Sequence, residues 1–263
     1  MSGYIFYSLT ALISVGCFVA GLIVARRKKH LSIWAVAALV ILLIKAVLHL
    51  KPVWEAALFP WANYAYLQSY WLYPLAMFFF GLAIPQLPVK WNRAVIMVLV
   101  VALFGFSLWH ERWMIISSDD SSIQRADADH HCVQTTHYTC APAACVSLLS
   151  YWNINATEGE MVRLCLTRKN GGTTLFNIYR GLVMKTRGSD LRVKLMETDL
   201  DTLAEIGKPA IIGTDHAVTI NFTDKGIVVH NPLNKKPVVM TREAFLKTSQ
   251  FNGEVVLVAG DRR

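Results

Sequence analysis

Cys140, His216 and Asn231, with Gln134 six positions before the cysteine, could together carry out acyl transfer. A thiolate attacks a carbonyl carbon, and an imidazole shares and then delivers the proton. A third group holds that imidazole in its productive tautomer. Cys140, His216 and Asn231 suit those three roles in that order. An amide in the third position fixes geometry without adding charge. The Gln134 amide supplies an N–H donor for the oxyanion of the tetrahedral intermediate, a contribution of ~3 kcal/mol where such donors have been removed. The set needs no cofactor. Each residue alone has a plainer reading: a cysteine among alanines is a small buried hydrophobe, and a histidine in a strand is a satisfied core or surface residue.

The elements that must position these residues follow from local pattern. Cys140 to Trp152 reads as one helix, because Pro142 is tolerated only in a first turn. The sulfur of Cys140 then sits at the positive end of the helix dipole, which favours thiolate over thiol. Thr157–Leu166 and Leu175–Lys185 read as further helices. Gly171-Gly172-Thr173-Thr174 is the turn and N-cap before the second of these, since it lacks any phosphate-binding glycine pattern. The remainder is β-rich, with strands over Arg192–Met196, Pro209–Gly213, His216–Thr223, Gly226–His230 and Glu254–Ala259, and a short helix over Asp199–Ile206. A tight turn at Asp224-Lys225 makes His216 and Asn231 diagonal neighbours on one face of a hairpin. Asp215 is a competing orienter, but adjacent strand residues point to opposite faces, which favours Asn231. Helices followed by an antiparallel sheet predict an α+β domain.

The first half of the chain is of another kind. Hydrophobic residues make up 54% of the 263 positions and mean hydropathy is +0.38, too high for an ordinary soluble protein. Residues 1–117 hold 9 Lys/Arg against 2 Asp/Glu, and residues 118–263 hold 17 against 16. The basic excess therefore belongs to the apolar half, and a nucleic-acid partner is not expected for a soluble half near neutrality. Four apolar stretches, Tyr4–Ala25, Leu31–Leu50, Tyr70–Leu87 and Ala94–His110, predict a four-span α-helical membrane anchor over 1–116. The first lacks a basic leader and is followed at once by a second span, so it does not read as a cleaved signal peptide. Arg26-Arg27-Lys28-Lys29-His30, together with Lys90 and Arg93, belongs in the cytoplasm by the positive-inside rule. Both termini and the soluble domain are then expected outside. Trp54, Trp61, Trp71 and Tyr73 suit an interfacial belt, and Lys45 reads as a lysine snorkelling to the interface beside His49 and Lys51. The polar run Ser117-Ser118-Asp119-Asp120-Ser121-Ser122 opens a linker over 117–129, ahead of a domain over 130–263.

The string from Gln134 through Cys140-Ala-Pro-Ala-Ala resembles the signature of the bacteriocin-processing, double-glycine-type cysteine peptidases. These are papain-like domains at the front of peptide-exporting ABC transporters. The resemblance continues through Asn170–Leu182, Lys208–Ile212, Asp215–Ile220 and Gly226–Pro232, covering nearly all of 130–260 and none of the apolar half. It implies a papain-like fold, Cys140 as nucleophile, His216 as base, Asn231 as third member and Gln134 as oxyanion donor. It also implies a peptide or protein substrate and a place in a bacterial inner membrane. The family usually carries Asp where this chain has Asn231, and Gly where it has Ala141. No transporter core follows, so a freestanding, membrane-anchored relative is expected, with a membrane protein as a possible partner. With the domain outside, a double-glycine leader is not the assumed substrate.

Other readings of the same residues remain. His130, His131, Cys132, His137 and Cys140 invite a zinc site, but their spacing matches no standard module. In an oxidising compartment Cys132 and Cys165 are the expected disulfide pair, with Cys145 in the core. A catalytically silent binding module on a peptidase fold is the rival to an enzyme.

Overall fold

The computed structural model describes residues 3–27, 31–59, 61, 72–110, 121–169, 171–213, 216–249 and 251–260. The chain divides into one unit of Met1–Glu55 with Asn63–Ile116, and a second of Ala56–Ala62 with Ser117–Arg263.

In the first unit the apolar stretches form helices α1 (Gly3–Arg27), α2 (Leu31–Leu50), α4 (Leu72–Ala83) and α5 (Lys90–His110); the short α3 (Pro52–Leu58) follows α2 and begins in this unit. Three of these, over Tyr7–Arg27, Leu31–Leu48 and Lys90–Trp109, are long and apolar enough to cross a bilayer. The third expected span, Tyr70–Leu87, is described only from Leu72. Its helix is 12 residues long, and a 3₁₀ turn at Ile84–Gln86, carrying Pro85, ends it. Lys28–His30 and Trp71 lie outside the described residues. Gly21 of α1 and Gly81 of α4 let those helices approach closely, since a Cβ at Gly21 would stand 2.4 Å from the Phe78 carbonyl oxygen. Lys45 corrects the snorkelling expectation. Its side chain is buried and paired with the buried carboxylate of Glu55, because an ammonium with an anionic partner near at hand need not reach the interface.

The second unit is the α+β domain. Helices α6 (Cys140–Ser150), α7 (Glu158–Leu164) and α8 (Leu175–Lys185) precede a six-stranded antiparallel sheet. Its strands are β1 (Leu191–Glu197), β2 (Ala210–Gly213), β3 (Ala217–Thr223), β4 (Gly226–His230), β5 (Val238–Met240) and β6 (Glu254–Gly260), in the order β1-β6-β2-β3-β4-β5. Helices α9 (Leu200–Ile206) and α10 (Arg242–Thr248) bury Leu203 and Phe245 against Ile220, Val255 and Leu257 of the sheet. Helix α6 is almost entirely buried and is tied to β3 by the Thr219 hydroxyl, which donates to the Ala144 carbonyl at 2.7 Å. Thr157, Thr174, Asp199 and Thr241 each cap the helix that follows them through a side-chain oxygen. The last of these starts α10, which together with β5 was not expected from periodicity. Both are too short to carry a period.

Candidate active site

The hairpin β3–β4 turns through Asp224-Lys225 with Thr223 opposite Gly226 and Thr219 opposite His230. Continuing that register places His216 and Asn231 two positions apart along the ladder, on the same face. The His216 Nε2 lies 2.8 Å from the Asn231 Oδ1. That same Oδ1 accepts the Leu233 backbone N–H at 3.0 Å, so it is an acceptor and the imidazole N–H must be on Nε2. The lone pair of Nδ1 is thereby left for the thiol. Asp215, the competing orienter, lies outside the described residues.

Cys140 opens α6 and is half-buried. Burial, the largest single influence, pushes its thiol up, and a hydrogen bond with His216 is the largest of several that oppose it. The backbone N–H groups of Ala217 and Ala141, and the charge of His216, act in the same direction as that bond, so the thiol titrates below its ordinary value of 9.0. His216 moves the opposite way. The bond with Cys140 raises it, burial opposes, and the bond with Asn231 adds to the rise, leaving it above 6.5. A lowered thiol facing a raised imidazole is the arrangement in which the proton can rest on nitrogen and leave a thiolate.

Gln134 comes to the same place by its backbone, whose N–H donates to the Pro232 carbonyl at 3.0 Å, one residue beyond Asn231. Its side-chain Nε2 donates one hydrogen to the Thr136 carbonyl at 2.8 Å, and the second remains. Its buried Oε1 has no hydrogen-bond partner among the described residues. The segment is anchored from below by Glu158, a fully buried carboxylate. Glu158 accepts from the Thr135 N–H at 2.9 Å, the Thr135 hydroxyl at 2.8 Å and the Ser122 hydroxyl at 2.6 Å. Sequence reading places Glu158 only near a helix start, because nothing in its spacing reveals a partner 23 positions upstream.

A second group beneath Asn231 also escapes sequence reading. The Tyr151 hydroxyl accepts from the Asn221 side chain and is hydrogen-bonded to the His230 Nε2 at 2.7 Å. The His131 ring stacks on that of His230 and donates from Nε2 to the Asn234 carbonyl at 2.8 Å, bracing the turn that carries Asn231. His130 stacks on Tyr151 instead, and Cys132 is buried with its N–H donating to the Ser147 hydroxyl. Burial first, and the neighbouring His131 and His130 second, push His230 down to about 4, with Asp127 opposing. The unfolded chain takes up this proton near 6.5 while the folded one does so near 4, so stability is lost as pH falls through that window. We expect the Tm of the full chain to drop between pH 6.5 and 4.5, with a loss on the order of 2 kcal/mol. His230→Asn should flatten that slope in a thermal-melt series.

The expected disulfide between Cys132 and Cys165 is not formed, and all five cysteines are free. Cys132 is directed toward the Val133 carbonyl, whereas the Cys165 sulfur lies 3.9 Å from that of Cys145. The helix α7 that precedes Cys165 packs against α6, so Cys165 faces the helix interior and not the segment before it.

Residues 129–262 match the sequence model of the Peptidase C39 family. An uncharacterized protein of Methanothermobacter thermautotrophicus is 26% identical over 132 residues, covering 48% of this chain and 85% of its own length. Among solved structures, the double glycine motif protease from an AMS/PCAT transporter, in complex with the leader peptide, is 21% identical with a TM-score of 0.42. The match covers 52% of this chain and 94% of that one. The peptidase domain of Streptococcus ComA, a bifunctional ABC transporter of a quorum sensing pathway, is 18% identical with a TM-score of 0.40, covering 49% and 96%. The family match spans just over half of the 263 residues and includes Gln134, Cys140, His216 and Asn231, and the chain belongs to the peptidase C39 family.

Proposed function

We propose that the protein is a membrane-anchored cysteine peptidase that cleaves a peptide bond in an exported peptide or protein. The anchor is assigned to 1–116, the linker to 117–129 and the peptidase domain to 130–263, with the domain on the outer face of the bacterial inner membrane. The asymmetry of Lys and Arg around the apolar helices supports that orientation.

The observation that carries the reading is the chain Cys140–His216–Asn231, in which one imidazole nitrogen is committed to an amide oxygen and the other to a sulfur. Cys140 attacks the scissile carbonyl as its proton passes to His216 Nδ1. The oxyanion is met by the second N–H of the Gln134 amide and by the Cys140 N–H, which is first in its helix and has no intrahelical acceptor. His216 then gives its proton to the leaving amine, and water attacks the thioester with His216 as base. A cavity of about 330 Å³ beside His216 and Asn231, walled in part by Val218, Met240, Phe245 and Phe251, would take an apolar side chain of the substrate.

The test uses the full chain in its membrane. Iodoacetamide at neutral pH should alkylate Cys140 selectively and much faster than a free thiol, and Cys140→Ala should leave an exported peptide uncut in mass spectra of the cell exterior. Slow alkylation, with function retained by Cys140→Ala, would instead identify a silent binding module.

Asn231 also controls the alkaline limit of activity. Its oxygen accepts from Nε2–H and so helps to raise His216. Asn231→Ala removes that contribution, the imidazolium loses its proton at lower pH, and the descending limb of the pH–rate profile should shift to lower pH. We expect kcat/KM at the optimum to fall about 10- to 100-fold, read from initial rates between pH 5 and 10. An unmoved limb would separate Asn231 from the titration of His216.

A further inference from the structure

We infer that Cys145 and Cys165 are a disulfide-forming pair, a modification site joining the nucleophile-bearing helix α6 to the end of α7. Their sulfurs lie 3.9 Å apart, and both residues are fully buried. Closing a bond needs the sulfurs to come from that distance to about 2.0 Å. The direction of Cys165 is held from the other side. A Cβ at Gly181 of α8 would stand 2.2 Å from the Cys165 sulfur, so that sulfur occupies a notch which only a glycine leaves open. Cys145 is five positions after Cys140, about 140° further round the helix, so the pair forms on a different face from the nucleophile and leaves Cys140 free.

The oxidant is the disulfide of a thiol–disulfide exchange partner acting while the domain folds outside the cytoplasm. One thiolate attacks a sulfur of the partner and expels the other partner sulfur as thiolate. The second thiolate of the pair then attacks the mixed disulfide, forms the Cys145–Cys165 bond and expels the first partner sulfur. The two protons from Cys145 and Cys165 pass to the partner, which leaves as a dithiol with two electrons. Once the domain has folded, burial raises the Cys145 thiol well above its ordinary value and closes off exchange.

The experiment expresses the full chain in a bacterial host whose cytoplasm and exterior are both oxidising, so that folding meets an oxidant whichever way the chain inserts. Thiols are trapped with N-ethylmaleimide in acid, and the protein is denatured and digested with trypsin without reduction. The peptide Leu164–Arg168 should appear linked to Ala126–Arg163, with Cys132 and Cys140 of the latter carrying maleimide. The link should vanish in Cys145→Ser and persist in Cys132→Ser. Tandem mass spectra of the wild-type link assign the partner even if Cys145→Ser fails to fold. Reduction should lower the Tm of the wild type by about 10 °C. Recovery of Cys165 as its maleimide adduct, or as a link that survives in Cys145→Ser, would overturn the inference. The inference uses the proposed outer location only to name the natural oxidant. A link without peptide cleavage counts against the peptidase reading alone, and cleavage without a link counts against this inference alone.

Discussion

A full-length chain carrying His216→Ala should hydrolyse peptide on the order of 10⁴-fold more slowly than the natural sequence. Two losses combine. The first is the proton acceptor, since no other described group shares the hydrogen bond to the Cys140 sulfur except two backbone N–H groups, which cannot take a proton. The second is the thiolate itself. Burial works to raise the Cys140 thiol, and the hydrogen bond with His216 is the largest of the contributions that together reverse the sign. Without that bond the thiol rises while burial still pushes it up, and the thiolate share at pH 7 falls. Alkylation of Cys140 by iodoacetamide should therefore slow by at least about tenfold at pH 7 and recover at pH 10. His216→Ala labelling at the wild-type rate across this range would remove the base from the proposed mechanism.

Glu158→Ala should be the most damaging substitution for stability outside the proposed catalytic set. The carboxylate has no exposed surface, and its removal leaves the Thr135 N–H, the Thr135 hydroxyl and the Ser122 hydroxyl without their acceptor. Unsatisfied buried donors cost about 1–3 kcal/mol each, partly recovered by water entry, so a loss of about 3 kcal/mol or more is expected in denaturant melts of the full chain. Because Thr135 precedes Gln134's partner Thr136, the same change should loosen the proposed oxyanion donor and lower kcat more than it raises KM. Glu158→Gln keeps an acceptor oxygen for the Thr135 N–H and an amide that can serve the hydroxyls, so it should be much milder. Equal damage from Ala and Gln would show that negative charge, rather than hydrogen-bond geometry, is what Glu158 supplies.

Much of the site could be foreseen because its parts are local. Pro142 dictates a helix start at Cys140, and the two-residue turn at Asp224-Lys225 sets the hairpin register that aligns His216 with Asn231. Apolar runs of bilayer length are a composition signal and need no tertiary information. Where reading failed, the missing term was a partner distant in sequence. Lys45 looked like a snorkelling lysine because Glu55, on the next helix, could not be seen to face it. Cys165 was matched with Cys132 when helix packing turns it to Cys145.

Order along the chain was thus enough to name the peptidase family, the α+β class and the apolar half, since helix starts, hairpin registers and hydrophobic length are properties of a few neighbouring residues. Folding in three dimensions added the tautomer of His216, the buried acceptor at Glu158, the brace of His131, His230 and Tyr151, and the meeting of Cys145 with Cys165. Each of these depends on which buried polar atoms face one another across packed elements. Hydrogen bonds and desolvation act over a few ångströms of space, whatever the separation along the chain.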